Sequence, residues 1–513
     1  MALPFNLAVD FSKQLQVINE KGFFDHLKIF RGIEKEALRV NKSGELSKLP
    51  HPDGLGSPLT NCFITTDFSE SLIELVTPKF DDVKALMSFL KDLHVFSVKT
   101  FDENEVLWGN SMPCRLTEEE IPIAQYGRSN IGRLKHIYRK GLKVRYGATM
   151  QCVAGIHYNF SLADSTLAFL MPDFTQDEKS DLYLDLIRNF KRNFWFILRI
   201  MGSSPMIDKT FVEKRDHGLS QIYMNSLYEE NATSLRMSNI GYQSAVQSNL
   251  NIKYNSLTEF IDALGVGISK GFKPFQELGL YDKNNERQQI SDGILQIENE
   301  LYDSIRPKRK GASGLRPIEL LRKNGIEYVE IRGIDLSPSH PLGISEEDIT
   351  CLDIFLLHCL LYPSKKIDDK EQKILTENYN KVIHNGADGD QEIIFRDSKI
   401  KISEAENLIV EELCSIADLM GKNSKSILLS KVQTGSPSKS FLNTIMQTNK
   451  TFVDYVLSES IESTNLLRNE EIEQITLLNN ERDKSKEQLQ KLESQKTIDL
   501  EEYVKQYNLQ IVE

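Results

Sequence analysis

The residues best placed to do chemistry begin with two carboxylates, Glu34 and Glu36, in the stretch Arg31-Gly-Ile-Glu-Lys-Glu-Ala-Leu-Arg-Val40. In a β-strand, side chains two apart share a face. Ile33 and Leu38 fill the apolar layers around them. Like charges this close are unfavourable unless something positive lies between them, and a divalent cation is the simplest neutraliser. Two solvated glutamates on a surface strand are the alternative, and the pair by itself does not decide. Four further stretches shift the balance.

The second is Asp67, Glu70 and Glu74. On a helix, offsets of three, four and seven residues fall on one face. Asp67 after Thr65-Thr66 also reads as a helix cap with Glu70 completing a capping box. That reading leaves Glu74 unexplained among Leu72, Ile73, Leu75 and Val76. The third is Ala154-Gly-Ile-His-Tyr-Asn-Phe-Ser161. As a strand it puts His157, Asn159 and Ser161 on one side and Ile156, Tyr158 and Phe160 on the other. A polar row opposite a clean apolar row implies that the polar row faces a site. The fourth is Gly325-Ile-Glu-Tyr-Val-Glu-Ile-Arg-Gly333, where Glu330 and Arg332 share a face. A carboxylate beside a fork-shaped, permanently charged guanidinium suits metal–phosphate chemistry; a surface pair is the bland alternative. The fifth is the aromatic and basic set Tyr138, Arg139, Arg145, Tyr146, Arg236, Tyr242 and Tyr302, whose arginines could equally neutralise the acidic groups.

Several chemistries are excluded. The chain has no G-x-x-x-x-G-K-[ST], no G-x-G-x-x-G after a strand and no H-E-x-x-H. A nucleotide would have to be held through metals and arginine, outside the P-loop and kinase schemes. Acidic ligands dominating over His and Cys favour magnesium or manganese over zinc. The six cysteines, at 62, 114, 152, 351, 359 and 414, form no C-x-x-C pair. They read as reduced, small core residues in a cytoplasmic protein. A net charge of −12 over 513 residues argues against a nucleic-acid partner. The N-terminus carries no signal-peptide pattern, and no uninterrupted apolar run of about eighteen residues suggests a membrane span.

These residues need elements to position them. Residues 1–30 read as an amphipathic helical lead-in and 31–40 as the first strand. A strand is expected at 62–66, and a helix over 81–100 from Val83, Leu86, Phe89, Leu90, Leu93 and Phe96. Residues 110–151 read as irregular, 153–162 as a strand, 165–201 as mostly helical with a buried Phe194–Leu198, and 203–256 as loop-rich. Residues 295–302 and 326–332 read as strand-like or buried. From about 345 the pattern is helical. The charged tail from Asn469 to Lys496 reads as a helix docked by one stripe of Ile472, Ile475, Leu478, Leu489 and Leu492. The organisation expected is a catalytic unit over 1–370 with a helical part over 371–513 packed on it.

At this point the chain resembles a known family. The Arg31–Val40 stretch, Ile64-Thr-Thr-Asp-Phe-Ser-Glu70, Ala124-Gln-Tyr-Gly127, Tyr138-Arg-Lys-Gly-Leu142, Gly155-Ile-His-Tyr-Asn-Phe160, Leu295-Gln-Ile-Glu-Asn-Glu-Leu-Tyr302 and Ile326-Glu-Tyr-Val-Glu-Ile-Arg332 resemble glutamate–cysteine ligase of the gammaproteobacterial type. The resemblance runs in order from about residue 20 to 360. It implies an α+β fold similar to the catalytic domain of glutamine synthetase: a curved, mostly antiparallel sheet with surrounding helices. It implies ATP-dependent joining of the L-glutamate γ-carboxyl to the L-cysteine amine through γ-glutamyl phosphate, the first step of glutathione biosynthesis. Position by position, Glu36, Asp67 and Glu74 resemble one Mg2+ or Mn2+ cluster, and Glu34, His157 and Glu330 a second. Arg332 resembles the arginine that meets the transferring phosphate. Tyr138, Leu142, Gln151, Arg236, Tyr242 and Tyr302 resemble the lining of the amino-acid pockets. The family's common isoleucine near the thiol pocket is replaced here by Val153, beside Cys152. The resemblance also implies feedback inhibition by glutathione. A monomer is expected, without nucleic-acid or membrane partners.

Two rival readings stand beside it. One is a γ-glutamyl ligase of the same fold that uses a different amine. The other is a non-catalytic regulator that senses glutamate or nucleotide, against which the retention of both acidic clusters and Arg332 speaks.

Overall fold

The computed structural model describes residues 11–511, apart from Lys214, Ala245, residues 312–314, Lys422 and Thr497; the first ten residues of the expected lead-in lie outside it. In chain order the strands are β1 (Ile29–Asn41), β2 (Ile64–Thr66), β3 (Leu72–Val76), β4 (Glu105–Leu107), β5 (Ile156–Leu162), β6 (Met206–Asp208), β7 (Ser220–Ile222), β8 (Ser226–Tyr228), β9 (Ile305–Lys308), β10 (Tyr328–Ile334), β11 (Glu392–Phe395) and β12 (Ser398–Lys401). The main sheet runs β2-β3-β1-β5-β10-β9, with β4 pairing the far end of β1. Its pairings are antiparallel throughout. Two small sheets, β6-β8-β7 and the β11-β12 hairpin, sit apart from it.

The long strand β1 owes its central place to alternation. Ile33, Lys35 and Ala37 point to one face, Glu34 and Glu36 to the other. The first face is dry. Ile33, Ile156, Tyr158, Phe160, Val329 and Ile331 are buried there. Helices Val83–Thr100, Gln176–Met201 and Glu346–Leu361 cover that side. Polar groups on it are paired. Tyr158 Oη donates to Asp353 at 2.7 Å, and Arg31 Nε donates to the same carboxylate at 2.7 Å. Among the described residues Lys35 meets no carboxylate; its Nζ lies 2.7 Å from His94 Nε2, and burial pulls it down to about 7.

Helix Gln176–Met201 begins with a capping box, in which Thr175 and Glu178 satisfy each other's backbone N–H groups. It buries the apolar run Phe194–Leu198 read from sequence. The C-terminal helices pack back on the sheet layer. Phe452–Asn469 packs on Val83–Thr100 and β4, and Ile475–Ser494 on Val83–Thr100.

Four sequence expectations change. Residues 67–76 form no helix: Asp67–Ser71 is a turn and β3 returns along β2, Asp67 N–H donating to Leu72 O at 2.9 Å. Isoleucine and valine favour the pleat, and Glu74 lies between buried Ile73 and Leu75 as a strand requires. The segment 110–151 contains a helix, Asn130–Tyr146, started by Ser129 and buried along Leu134, Ile137, Gly141 and Leu142. Residues 295–302 are largely buried, as one of the two readings has it, but form a loop with one helical turn at Glu298–Glu300 in place of a strand. The tail helix docks through Leu478, Glu481 and Ser485 while Ile475 is exposed. The surface it meets is a loop whose amides need acceptors: Cys62 N–H donates to Glu481, and Ser57 N–H to Ser485.

Candidate active site

The open face of the sheet carries a continuous row of ionisable groups. In the β1–β3 pairing Glu36 lies directly opposite Glu74, and in the β1–β5 pairing Glu34 lies opposite His157. Glu330 on β10 is opposite Asn159 of β5 on one side and Arg306 of β9 on the other. Residues far apart in sequence, such as Glu34 and Glu330, are thus brought to one surface by register.

The two ends of this row differ in charge. Glu34, His157 and Glu330 each offer a ligand atom, all within 4.8 Å of one another. His157 Nδ1 is 3.3 Å from Glu34, and Asn159 Nδ2 donates to the other Glu34 oxygen at 2.9 Å. Against burial and the nearby Glu330, His157 and Lys308 hold Glu34 below its ordinary range. Against burial, Lys308, Arg332, Arg306 and His157 hold Glu330 well below. At the other end cations are scarce. Burial and the neighbouring Asp67 raise Glu36 despite His157, Arg236 and Arg332. Burial together with Glu34, Asp67 and Glu36 pushes Glu74 well above the usual carboxylate range. Glu36 accepts from Gly155 N–H at 2.9 Å.

This arrangement fits a divalent cation on two independent grounds. At the Glu74 end the cations that reach the carboxylates do not offset burial and mutual repulsion. His157 Nε2 is buried and makes no hydrogen bond although a Glu36 oxygen lies 3.3 Å away, too poorly directed to count as one. Such a bare imidazole nitrogen among carboxylates is a ready metal ligand.

Arg332 joins the two ends. Its Nε donates to Tyr242 Oη at 2.8 Å, its Nη1 to Glu330 at 3.1 Å, and Nη1 lies 3.4 Å from His157 Nδ1. Beside it opens a small cavity of about 50 Å³, lined by Glu36, Asp67, Tyr138, Leu142, Gln151, Val153, Tyr242, Tyr302 and Arg332. Gln151 and Tyr302 exchange hydrogen bonds of 2.9 and 3.1 Å, and Tyr302 meets Tyr242 edge to face at 4.8 Å. Of the residues anticipated from sequence, Arg236 lies outside this lining. It is 1 % exposed and braces the strand behind, donating to Arg332 O at 3.0 Å. Glu70 is also removed from the row: it accepts from His51 N–H and Gln125 N–H and ties two loops together. Arg139 also lines the cavity while holding the Asp67 and Thr66 carbonyls, and Arg145 serves neighbouring structure, pairing with the buried Glu300. Sequence reasoning missed Arg306 and Lys308. Their signal was present in Ile305-Arg-Pro-Lys308, where two cations alternate around a proline of the kind an edge strand tolerates.

Comparison with known proteins agrees with this geometry. The family model for glutamate-cysteine ligase matches residues 15–382. The chain is 41% identical over 445 residues to a glutamate–cysteine ligase of Pseudomonas entomophila (strain L48), covering 84% of each. It is 44% identical over 374 residues to that of Hahella chejuensis, covering 71% of each. A crystal structure of glutamate–cysteine ligase from Francisella tularensis in complex with AMP superposes with a TM-score of 0.89 at 32% identity, covering 94% of this chain and 98% of that one. Fold, cleft and relatives define an ATP-dependent carboxylate–amine ligase. The chain belongs to the glutamate–cysteine ligase family. Among the described residues, no helix is long and apolar enough to cross a membrane.

Proposed function

We propose that the cleft joins the γ-carboxyl of L-glutamate to the amine of L-cysteine at the expense of ATP, giving γ-glutamylcysteine, the first step of glutathione biosynthesis. The observation that carries this is one surface that bears the Glu34, His157 and Glu330 group, the facing pair Glu36 and Glu74, Arg332 and a tyrosine-lined cavity. A carboxylate is a poor acyl electrophile until its oxygen is phosphorylated. The γ-carboxylate attacks the terminal phosphorus of ATP, ADP leaves, and the cysteine amine then displaces phosphate from γ-glutamyl phosphate. Glu36, Asp67 and Glu74 would hold one Mg2+ or Mn2+, and Glu34, His157 and Glu330 a second. Such ions supply charge neutralisation and Lewis acidity at the phosphates.

The chain's own residues do the rest. Arg332, fixed by Tyr242 and Glu330, presents its guanidinium to the transferring phosphate. Tyr138, Leu142, Gln151, Tyr242 and Tyr302 enclose the amino acids and exclude water, which would hydrolyse the acyl phosphate. Arg236 acts from behind, positioning the Arg332 backbone. Val153 lines the same cavity, on the side where thiol selectivity would be set. The sheet in this reading is the glutamine-synthetase-like concave platform, with 1–370 as the catalytic unit and 371–513 as its helical buttress. A cytoplasmic monomer subject to glutathione feedback completes the picture. The alternative, a different amine acceptor on the same chemistry, is separated by one experiment: ADP release measured with glutamate, cysteine, 2-aminobutyrate and simple amines omitted or supplied in turn. Release that needs glutamate but is indifferent to cysteine would overturn the acceptor assignment.

A further inference from the structure

We propose that the C-terminal helix Leu500–Leu509 is a clasp that positions two walls of the amino-acid cavity, and that Arg316 is the positioning residue that couples it to them. The inference rests on the reading of the cleft given above and adds to it a part of the chain beyond residues 15–382, which the family model matches.

One wall of the cavity is the helix Asn130–Tyr146, which carries Tyr138 and Leu142. Another is the loop 295–302, which carries Asn299 and Tyr302. Neither rests on the main core alone. Leu134 and Ile137 of the first wall are buried with Ile290, Leu500 and Val504 in a small separate cluster. Leu500 and Val504 are four apart and so share one face of their helix. Tyr138 packs on this cluster and on the main core at once, and Ile297 of the loop packs on the cluster too. Taking Leu500 and Val504 away would open the outer side of both walls to water, at the cost of their apolar burial.

Polar contacts tie the same pieces together. Asn130 Nδ2, at the start of the first wall, donates to Ile498 O at 2.8 Å. Gln296 Nε2 of the loop donates to Tyr138 O at 3.1 Å, which joins the walls to each other. Arg316 is fully buried and grips both oxygens of Glu298, through Nε at 3.0 Å and Nη2 at 2.9 Å. Its Nη1 donates to Tyr507 O at 3.4 Å, and its guanidinium lies 4.5 Å from the centre of the Tyr507 ring. One guanidinium thus links the C-terminal helix to Glu298, the neighbour of Asn299 in the second wall. A buried ion pair adds little net stability, but its two-pronged geometry fixes where the two segments sit. Among the described residues that line the cavity, none belongs to this helix, and Arg316 is not one of them. The helix and Arg316 therefore act through Tyr138, Leu142, Asn299 and Tyr302.

The test uses the full-length protein and compares wild type with Val504→Ala, Arg316→Lys and, on the exposed face of the same helix, Glu502→Ala. ATP affinity is measured without amino acids. KM for glutamate and cysteine, kcat and the ratio of ADP to γ-glutamylcysteine are then measured with them. Val504→Ala removes only methyl groups, and a cooperative thermal transition checks that the variant is folded. It is expected to raise the amino-acid KM about three- to thirtyfold, as a residue does that acts on a site without touching it. ATP affinity and kcat should stay at the wild-type level, the pattern of lost uniform binding. ADP should exceed γ-glutamylcysteine, because loosened walls admit water to the acyl phosphate. Arg316→Lys keeps the charge beside Glu298 but loses the fork, so it should show the same pattern, and it carries the test if Val504→Ala does not fold. Glu502→Ala should match wild type. Unchanged KM in the folded variants, the same rise in Glu502→Ala, or a rise matched by an equal loss of ATP affinity would overturn the clasp. If wild type itself releases no ADP with glutamate and cysteine, the reading of the cleft fails instead.

Discussion

Replacing Glu74 by glutamine should stabilise the metal-free protein while destroying its activity. Glu74 and Glu36 are directly opposite in an antiparallel pair. Such residues have Cβ atoms about 4.5–5.5 Å apart. Two carboxylates about 5 Å apart, at an effective dielectric constant of about 20, repel by about 3 kcal/mol. The folded protein avoids this by keeping a proton, which is why burial and the surrounding carboxylates push Glu74 well above its ordinary range. A carboxyl whose folded pKa is raised contributes stability that is present below its unfolded value and lost as pH rises through the folded value. In chelator, wild type should therefore lose stability steadily as pH climbs above the ordinary glutamate range. Glu74→Gln removes that loss. It should be more stable than wild type by about 1–3 kcal/mol at about pH 8, and nearly equal to it at about pH 4. Excess magnesium should reverse the order, because only wild type retains the ligand. Thermal unfolding of both proteins across pH, with chelator and with magnesium, reads all of this. If Glu74→Gln loses as much stability as wild type between neutral and alkaline pH in chelator, the assigned repulsion is absent and the reasoning fails.

Along β10, Arg332→Lys should bind ATP and glutamate nearly normally yet lose about a hundredfold to a thousandfold in kcat, unrescued by magnesium. Glu330→Gln should instead raise the magnesium requirement; a magnesium titration of both variants that gives the opposite pattern would show the roles to be wrong. Cys62→Ser, Cys152→Ser and Cys359→Ser should each retain turnover in a steady-state assay. Cys62 is exposed rather than a core residue, yet partial desolvation and the neighbouring Glu481 push its thiol up to about 12; burial raises those of Cys152 and Cys359, so none is a thiolate nucleophile. Gly155→Ala should destabilise by about 1–3 kcal/mol in denaturant unfolding and lower kcat/KM. A Cβ there would collide with Arg236 Nη2, the group that holds the Arg332 carbonyl.

Much of the site could be read along single strands. The spacing of Glu34 and Glu36, of His157 and Asn159, and of Glu330 and Arg332 reflects the two-residue period of the pleat, which sequence records directly. The acidic stretch after Thr66 was misread because offsets of three, four and seven suit a helix, while a turn followed by a returning strand gives the same list of residues. Glu70 then faces loop amides instead of the ligand row. The helix Asn130–Tyr146 was hidden by its basic residues and glycines, although Gly141 leaves the room into which Gln296 packs. The tail helix docks on serine and glutamate because the loop beneath it offers N–H groups, a demand made by the partner surface and invisible in the helix itself.

The sequence by itself determined most of the kinds of groups in the cleft and three of the strands that carry them, β1, β5 and β10, because residue type and alternation are local properties. It also excluded a P-loop and a catalytic thiol pair, since those chemistries need motifs the chain lacks. Only the tertiary structure decided which carboxylates face each other. Register across five strands sets Glu36 against Glu74 and Glu330 against Arg306, and register is fixed by the burial of the opposite, apolar face. That same pairing gives the row its two electrical ends, one crowded with unneutralised carboxylates and the other with surplus cations. No reading of neighbours along the chain contains this polarity, because Coulomb interactions follow distance in space.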